Sequence, residues 1–182
     1  MSEPDAILDA AEAVVEILQQ HRIDAVVIGA VALAAHHYVR QTDDVDLGVN
    51  ADLPTLRAVL ESLRSKGFAA ELREPDGTDP LAGVIDVTGP FGLLQIISYA
   101  DRFPAVIEDA LRSATLVVRA GSPLRLVPLP HLIALKLYAG GHKSMADIVE
   151  LLVRNPDADI DEVRALCRRY RLSGLDEIIA DC

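Results

Sequence analysis

Residues 26–49 read VVIGAVALAAHHYVRQTDDVDLGV, and this stretch decides the fold. A short β-branched run over 24–28 reads as a buried strand that stops at Gly29. The alanine-rich residues 30–38 then read as a helix. Gly29 permits the sharp turn between the two, and a helix start there offers unpaired backbone N–H groups to an anion. Further on, Asp44 and Asp46 open a second strand that runs through 45–49. Alternate strand residues share a face, so both carboxylates project together while Val45 and Leu47 point to the core. Two neighbouring carboxylates repel unless a cation lies between them, which suits Mg²⁺ held jointly with phosphates. A lone glycine is commonly a turn, and a lone Asp-x-Asp is commonly a solvated strand end. The ordered series of strand, Gly, helix, Arg-x-Thr-x-Asp-x-Asp and strand is what points to phosphoryl or nucleotidyl transfer.

Upstream, Ile7, Leu8, Ala11, Val14, Val15 and Leu18 recur at helical spacing and predict an amphipathic first helix. Downstream, Asp52 caps a helix with Pro54 in its first turn, ending near Lys66 and Gly67. A strand over 68–73 follows, then a loop over 74–83 rich in turn residues. Residues 84–88 and 93–98 form a hairpin across Gly89, Pro90, Phe91 and Gly92. A helix is expected around 101–113 and a strand pair near 115–128. From Pro130 the pattern is helical, in three or four pieces broken at Gly140-Gly141, Asn155-Pro156 and Ser173-Gly174. The expected class is therefore α+β: a mixed sheet flanked by helices over about 1–128, then a helical subdomain over about 129–182.

Composition narrows the function. Of 182 residues, 28 are acidic and 17 basic, a net charge of -11, which argues against a protein that coats nucleic acid or an anionic membrane. Hydrophobic residues make up 51%, enough for a packed core and too many for a disordered chain. The apolar run over 25–35 falls well short of the ~20 residues of a membrane span, and the acidic N-terminus lacks the basic region of a secretory signal. Cys167 and Cys182 make no disulfide framework or zinc pattern. A cytoplasmic protein with reduced thiols is expected, with no membrane partner.

Gly29-Ala30, Arg40, Thr42, Asp44, Val45, Asp46 and Leu47 together resemble the motif of the nucleotidyltransferase fold, the polymerase-beta-like superfamily. The Arg-x-Thr-x-Asp-x-Asp phrase is similar to a small prokaryotic branch that includes abortive-infection nucleotidyltransferase toxins of toxin–antitoxin systems. Residues 132–147, LIALKLYAGGHKSMAD, also resemble that branch. The resemblance spans about residues 23–152. It implies a nucleotide cleft between a mixed sheet and a helical subdomain, with Asp44 and Asp46 binding two Mg²⁺. An acceptor would attack the α-phosphate of a nucleoside triphosphate, and pyrophosphate would leave. Gly29, Ala30 and the following amides would hold phosphates, with Arg40, Thr42, Lys136 and Lys143 as further phosphate or base contacts.

The chain departs from that motif twice. Ala30 stands where the family has Ser or Gly. On the strand expected to carry a third carboxylate, the residue is Gln95, which cannot take a proton or neutralise a second cation well. Asp86 on the preceding strand is the candidate replacement, and otherwise it is a strand-end acid near a turn.

Several residues keep two readings. His36 and His37 are a candidate base or a solvated helix-end pair. Lys136 is a phosphate contact or a snorkelling side chain, and Lys143 a contact or simply exposed. Asp147, three after Ser144, reads as part of a capping box. Arg164, Arg168, Arg169 and Arg171 form a solvated helix face, or a surface for an RNA acceptor or an acidic partner. Three functions are compatible with the pattern: an Mg²⁺-dependent nucleotidyltransferase acting on a hydroxyl or amine of a small molecule, protein or RNA; a lapsed transferase domain serving as a binding or regulatory partner; and, ranked below both, a sugar-nucleotide glycosyltransferase.

Overall fold

A computed structural model describes residues 3–40 and 44–180. Helix α1 (Glu3–Gln20) leads into β1 (Ala25–Ile28), α2 (Gly29–Ala35), β2 (Asp44–Val49), α3 (Leu53–Ser65) and β3 (Ala69–Arg73). The hairpin β4 (Gly83–Gly89) and β5 (Gly92–Ser98) precedes α4 (Pro104–Ser113) and the short β6 (Arg125–Leu126). Helices α5 (Leu129–Ala139), α6 (Gly141–Arg154), α7 (Ile160–Arg169) and α8 (Leu175–Ala180) follow. One mixed sheet has the order β3-β4-β5-β2-β1-β6. Strands β2 and β5 run parallel, as do β1 and β6, and the other neighbours are antiparallel. The α+β class expected from the sequence is the class observed.

Strand alternation builds two cores. Val45, Leu47 and Val49 of β2, with Ile85, Val87, Leu94 and Ile96, face α1 and α3. Each of these is buried, and α3 meets them with Leu56, Val59, Leu60 and Leu63. Its start is fixed as expected: the Asp52 carboxylate accepts from the Thr55 amide at 2.9 Å, and Pro54 sits in the first turn. On the other face, Val26 and Ile28 of β1 join α2, α4, α5, α6 and α7 in a second core. The helical tail thus shares its apolar interior with the sheet.

Four boundaries differ from the expectation. Helix α2 stops at Ala35, because His36 and His37 (φ +66) turn the backbone out of the helix. Helix α4 starts at Pro104 rather than 101, since a residue before proline is pushed out of the helical region. The strand pair near 115–128 shrinks to β6 and one bridge between Val117 and Arg125, with a turn at Gly121 and Ser122 intervening. Helix α6 starts at Gly141, so Asp147 lies in its second turn and is no part of a cap.

Candidate nucleotide site

The antiparallel register of β1 and β2 pairs Ile28 with Asp46, which brings the β1–α2 turn beside that carboxylate. Gly29 has φ +67, a region unfavourable to side chains, and a Cβ placed on it would overlap the Asp46 carboxylate. Glycine is required here on both counts. The first turn of α2, including Ala30, has no side-chain cap for its amides.

Asp44 and Asp46 lie on one face of β2, opposite the buried Val45 and Leu47. Burial pushes the Asp46 carboxyl up to about 6, and the neighbouring Asp44 charge adds to the rise. Lys136, Arg40 and Lys143 pull in the opposite direction, so all three cations bear on this carboxylate. Nearby, the buried Tyr99 hydroxyl is held well above the usual phenol range by burial and by the Asp46 charge.

Two of the cations converge on a residue that the sequence did not single out for the site. Asp147 of α6 is 2% exposed, accepts from Arg40 through both oxygens at 3.1 Å and from Lys136 Nζ at 2.7 Å. This three-membered ion cluster ties the α2–β2 connection to α5 and α6. Lys136 is thus a paired, largely buried cation rather than a snorkelling one. The available signal was an acid next to the apolar positions Ile148 and Leu151, eleven residues after a lysine in an apolar helix. Lys143 is exposed in the first turn of α6. Thr42 lies outside the described residues.

Laterally from Asp46 the register runs to Gln95 on β5 and then to Asp86 on β4. Gln95 Nε2 donates to Asp86 Oδ1 at 2.5 Å, and Arg73 of β3 donates to both Asp86 oxygens at 2.6 and 3.1 Å. The Arg73 hydrogen bond holds the Asp86 carboxyl below the usual carboxylate range, aided by Gln95. Among the described residues no cluster of three or more His, Cys, Asp or Glu could hold a metal by itself. Two carboxylates beside a glycine turn nevertheless fit Mg²⁺, which takes one or two protein carboxylates and completes its shell with phosphate oxygens and water.

The remaining candidates lie elsewhere. His36 is buried and its Nε2 donates to the Val127 carbonyl at 2.8 Å, so that ring is occupied structurally. His37 lines an open cleft of about 320 Å³ with Leu129, Arg154 and Asn155. Arg164 pairs with Asp161 and Asp176, and Arg169 joins Arg112 and the Tyr170 hydroxyl on the buried Asp109. Arg168 and Arg171 are exposed.

No protein-family model and no curated protein sequence matches the chain. Solved structures do. A crystal structure of ANT(2'')-Ia in complex with adenylyl-2''-tobramycin aligns over 91% of this chain and 97% of its own, at 18% identity and a TM-score of 0.55. A nucleotidyltransferase-like protein from Paracoccidioides brasiliensis aligns over 91% and 88%, at 18% identity and a TM-score of 0.52. The chain has the nucleotidyltransferase fold. The glycine turn after β1 and the acidic β2 therefore sit on a nucleotidyltransferase-like fold. At this identity the likeness speaks to the fold and leaves the chemistry to the residues. No described helix is long and apolar enough to cross a membrane.

Proposed function

We propose that this chain is an Mg²⁺-dependent nucleotidyltransferase that moves a nucleoside monophosphate from a nucleoside triphosphate to a hydroxyl or amine acceptor. The observation that carries the proposal is the packing of the Gly29 turn against Asp46, with Asp44 on the same face and three cations bearing on that carboxylate. Asp44 and Asp46 would hold Mg²⁺, which when bound neutralises phosphate charge and orients the triphosphate. The uncapped amides of Gly29 and Ala30 would receive phosphate oxygens. Arg40, Lys136, Lys143 and Thr42 would balance and position the remaining phosphate charge or the base. The acceptor oxygen or nitrogen bonds to the α-phosphorus, the bond to the bridging oxygen breaks, pyrophosphate departs, and the acceptor's proton passes to solvent. ANT(2'')-Ia, seen with an adenylylated tobramycin, supports a small hydroxylated or aminated acceptor as the first class to try. Mg²⁺-dependent transfer of an α-labelled nucleotide, abolished by Asp46→Ala, is the expected result. Failure of all four triphosphates against small-molecule, protein and RNA acceptor pools would sink the proposal.

Gln95 favours a second reading. With a neutral amide beside Asp46 and Asp86 engaged by Arg73, the fold would no longer transfer nucleotide. It would then serve as a regulatory partner, as in the toxin–antitoxin pairs of the abortive-infection branch that the sequence resembles. Calorimetry separates the two: Mg²⁺-dependent triphosphate binding lost in Asp44→Ala belongs to the enzyme, and tight binding of a protein partner without nucleotide affinity belongs to the module.

A further inference from the structure

If the chain is a transferase, the row of side chains that runs from Asp46 across the sheet bears on how many cations its site accepts. Neighbouring strands lie ~4.8 Å apart. Asp86 is therefore two strands, roughly 10 Å, from Asp46 at the backbone, and Gln95 fills the place between them. Paired metal ions in phosphoryl-transfer sites sit about 3.5–4 Å apart and share carboxylate ligands. A second ion at that distance on the β5 side would meet the Gln95 amide, which has no charge to offer.

The surrounding charge points the same way. Asp86 is matched by Arg73 and accepts from the Gln95 amide, so its negative charge is engaged away from Asp46. Asp147 is buried and matched by Arg40 and Lys136. Lys143 adds positive charge that is felt at Asp46. A first divalent ion has Asp44, Asp46 and the triphosphate as counter-charge. A second would share those two carboxylates and gain none of its own, because its β5 side offers only the neutral Gln95, with three protein cations nearby competing for the triphosphate.

We infer that this site takes a single divalent cation, held by Asp44 and Asp46, and that Gln95 is the residue that limits it to one; the inference rests on the transferase reading. The Arg73–Asp86 pair acts as the positioning group: it draws Gln95 Nε2 toward β4 and fixes the amide in the gap.

The test counts ions rather than turnover. Mn²⁺ is titrated into the intact protein with saturating α,β-methylene analogues of the four nucleoside triphosphates, and bound Mn²⁺ per chain is read by electron paramagnetic resonance. One Mn²⁺ is expected in the native chain, and two in Gln95→Asp or Gln95→Glu, with the spin–spin broadening of a close pair. Two in the native chain would overturn the inference. One in the native chain and in both folded variants would overturn the role of Gln95. No Mn²⁺ in the native chain would instead remove the transferase reading on which the inference stands. Thermal melting of both variants identifies a misfolded one, and the two side-chain lengths give independent chances to reach the gap.

Discussion

Gly29 and Asp46 occupy each other's space so closely that neither tolerates much change. Gly29→Ala adds a Cβ where the Asp46 carboxylate lies and forces alanine into positive φ. Such strain alone costs on the order of 1–2 kcal/mol. Loss of Mg²⁺–triphosphate binding is expected with a folded protein, read by calorimetry; unchanged affinity would show that the turn is not part of the site. Asp46 itself should weaken the fold it serves. Its carboxyl titrates near 6 instead of 3.8, so the folded chain holds a proton that the unfolded chain has released between those values. Stability therefore falls as pH rises from about 4 to 6, and the penalty stands in full above that window. About two pKa units correspond to about 3 kcal/mol. Asp46→Asn is expected to raise stability by up to this amount at pH 7.5 and to change it little at pH 4, measured by urea unfolding. A stabilisation that did not depend on pH would contradict the electrostatic cause.

At the scale of elements, the sheet supplies Asp44 and Asp46, and the helical tail supplies Lys136 and Lys143 beside Arg40 of the α2–β2 connection. Strand β2 presents Asp44 and Asp46 because its alternate residues are claimed by the α1/α3 core. Helix α5 carries Lys136, and α6 carries the Asp147 that holds Lys136 and Arg40 in place. Removing one member of a buried ion cluster leaves uncompensated charge and typically costs about 3–5 kcal/mol. Arg40 is 27% exposed, so the lower end of that range is the expectation for Asp147→Ala. A fall in the urea midpoint with an unchanged slope checks it. A loss well below 1 kcal/mol would mean that both cations find water instead.

Across the whole molecule, a second buried titratable group works against Asp46 in the same pH range. His131 is 5% exposed, and its Nδ1 has no partner among the described residues. Burial, helped by Arg169 and Arg112, lowers its pKa to about 4. The unfolded chain takes up a proton below 6.5 that the folded chain refuses, so this stability is present above 6.5 and lost as pH falls toward 4. At pH 5 the loss is about 2 kcal/mol, at 1.36 kcal/mol per pKa unit. His131→Leu is expected to flatten that acid limb; an unchanged pH profile would rule His131 out as its source.

Much of this architecture was legible in the sequence because it rests on local rules. Alternation in β2, the Asp52 cap with Pro54, and the hairpin at 89–92 each follow from a few adjacent residues. What escaped depends on contacts distant in the chain. Asp147 read as a cap because its partner Arg40 lies 107 positions earlier. The place of Asp86 emerged only once strand register set it beside Gln95 and Arg73. Likewise, the arginines over 164–171 read as one patch until Asp109, Asp161 and Asp176 divided them.

The most direct test is nucleotidyl transfer itself. The chain is incubated with Mg²⁺, each α-labelled triphosphate and pooled small-molecule, protein and RNA acceptors, in parallel with Asp44→Ala and Asp46→Ala. Label should move to an acceptor with release of pyrophosphate, and each substitution should reduce the rate at least ~100-fold, as ~3 kcal/mol of lost transition-state stabilisation requires. Transfer that persists in both variants, or none in the native chain from any triphosphate, would contradict a reaction centred on Asp44 and Asp46.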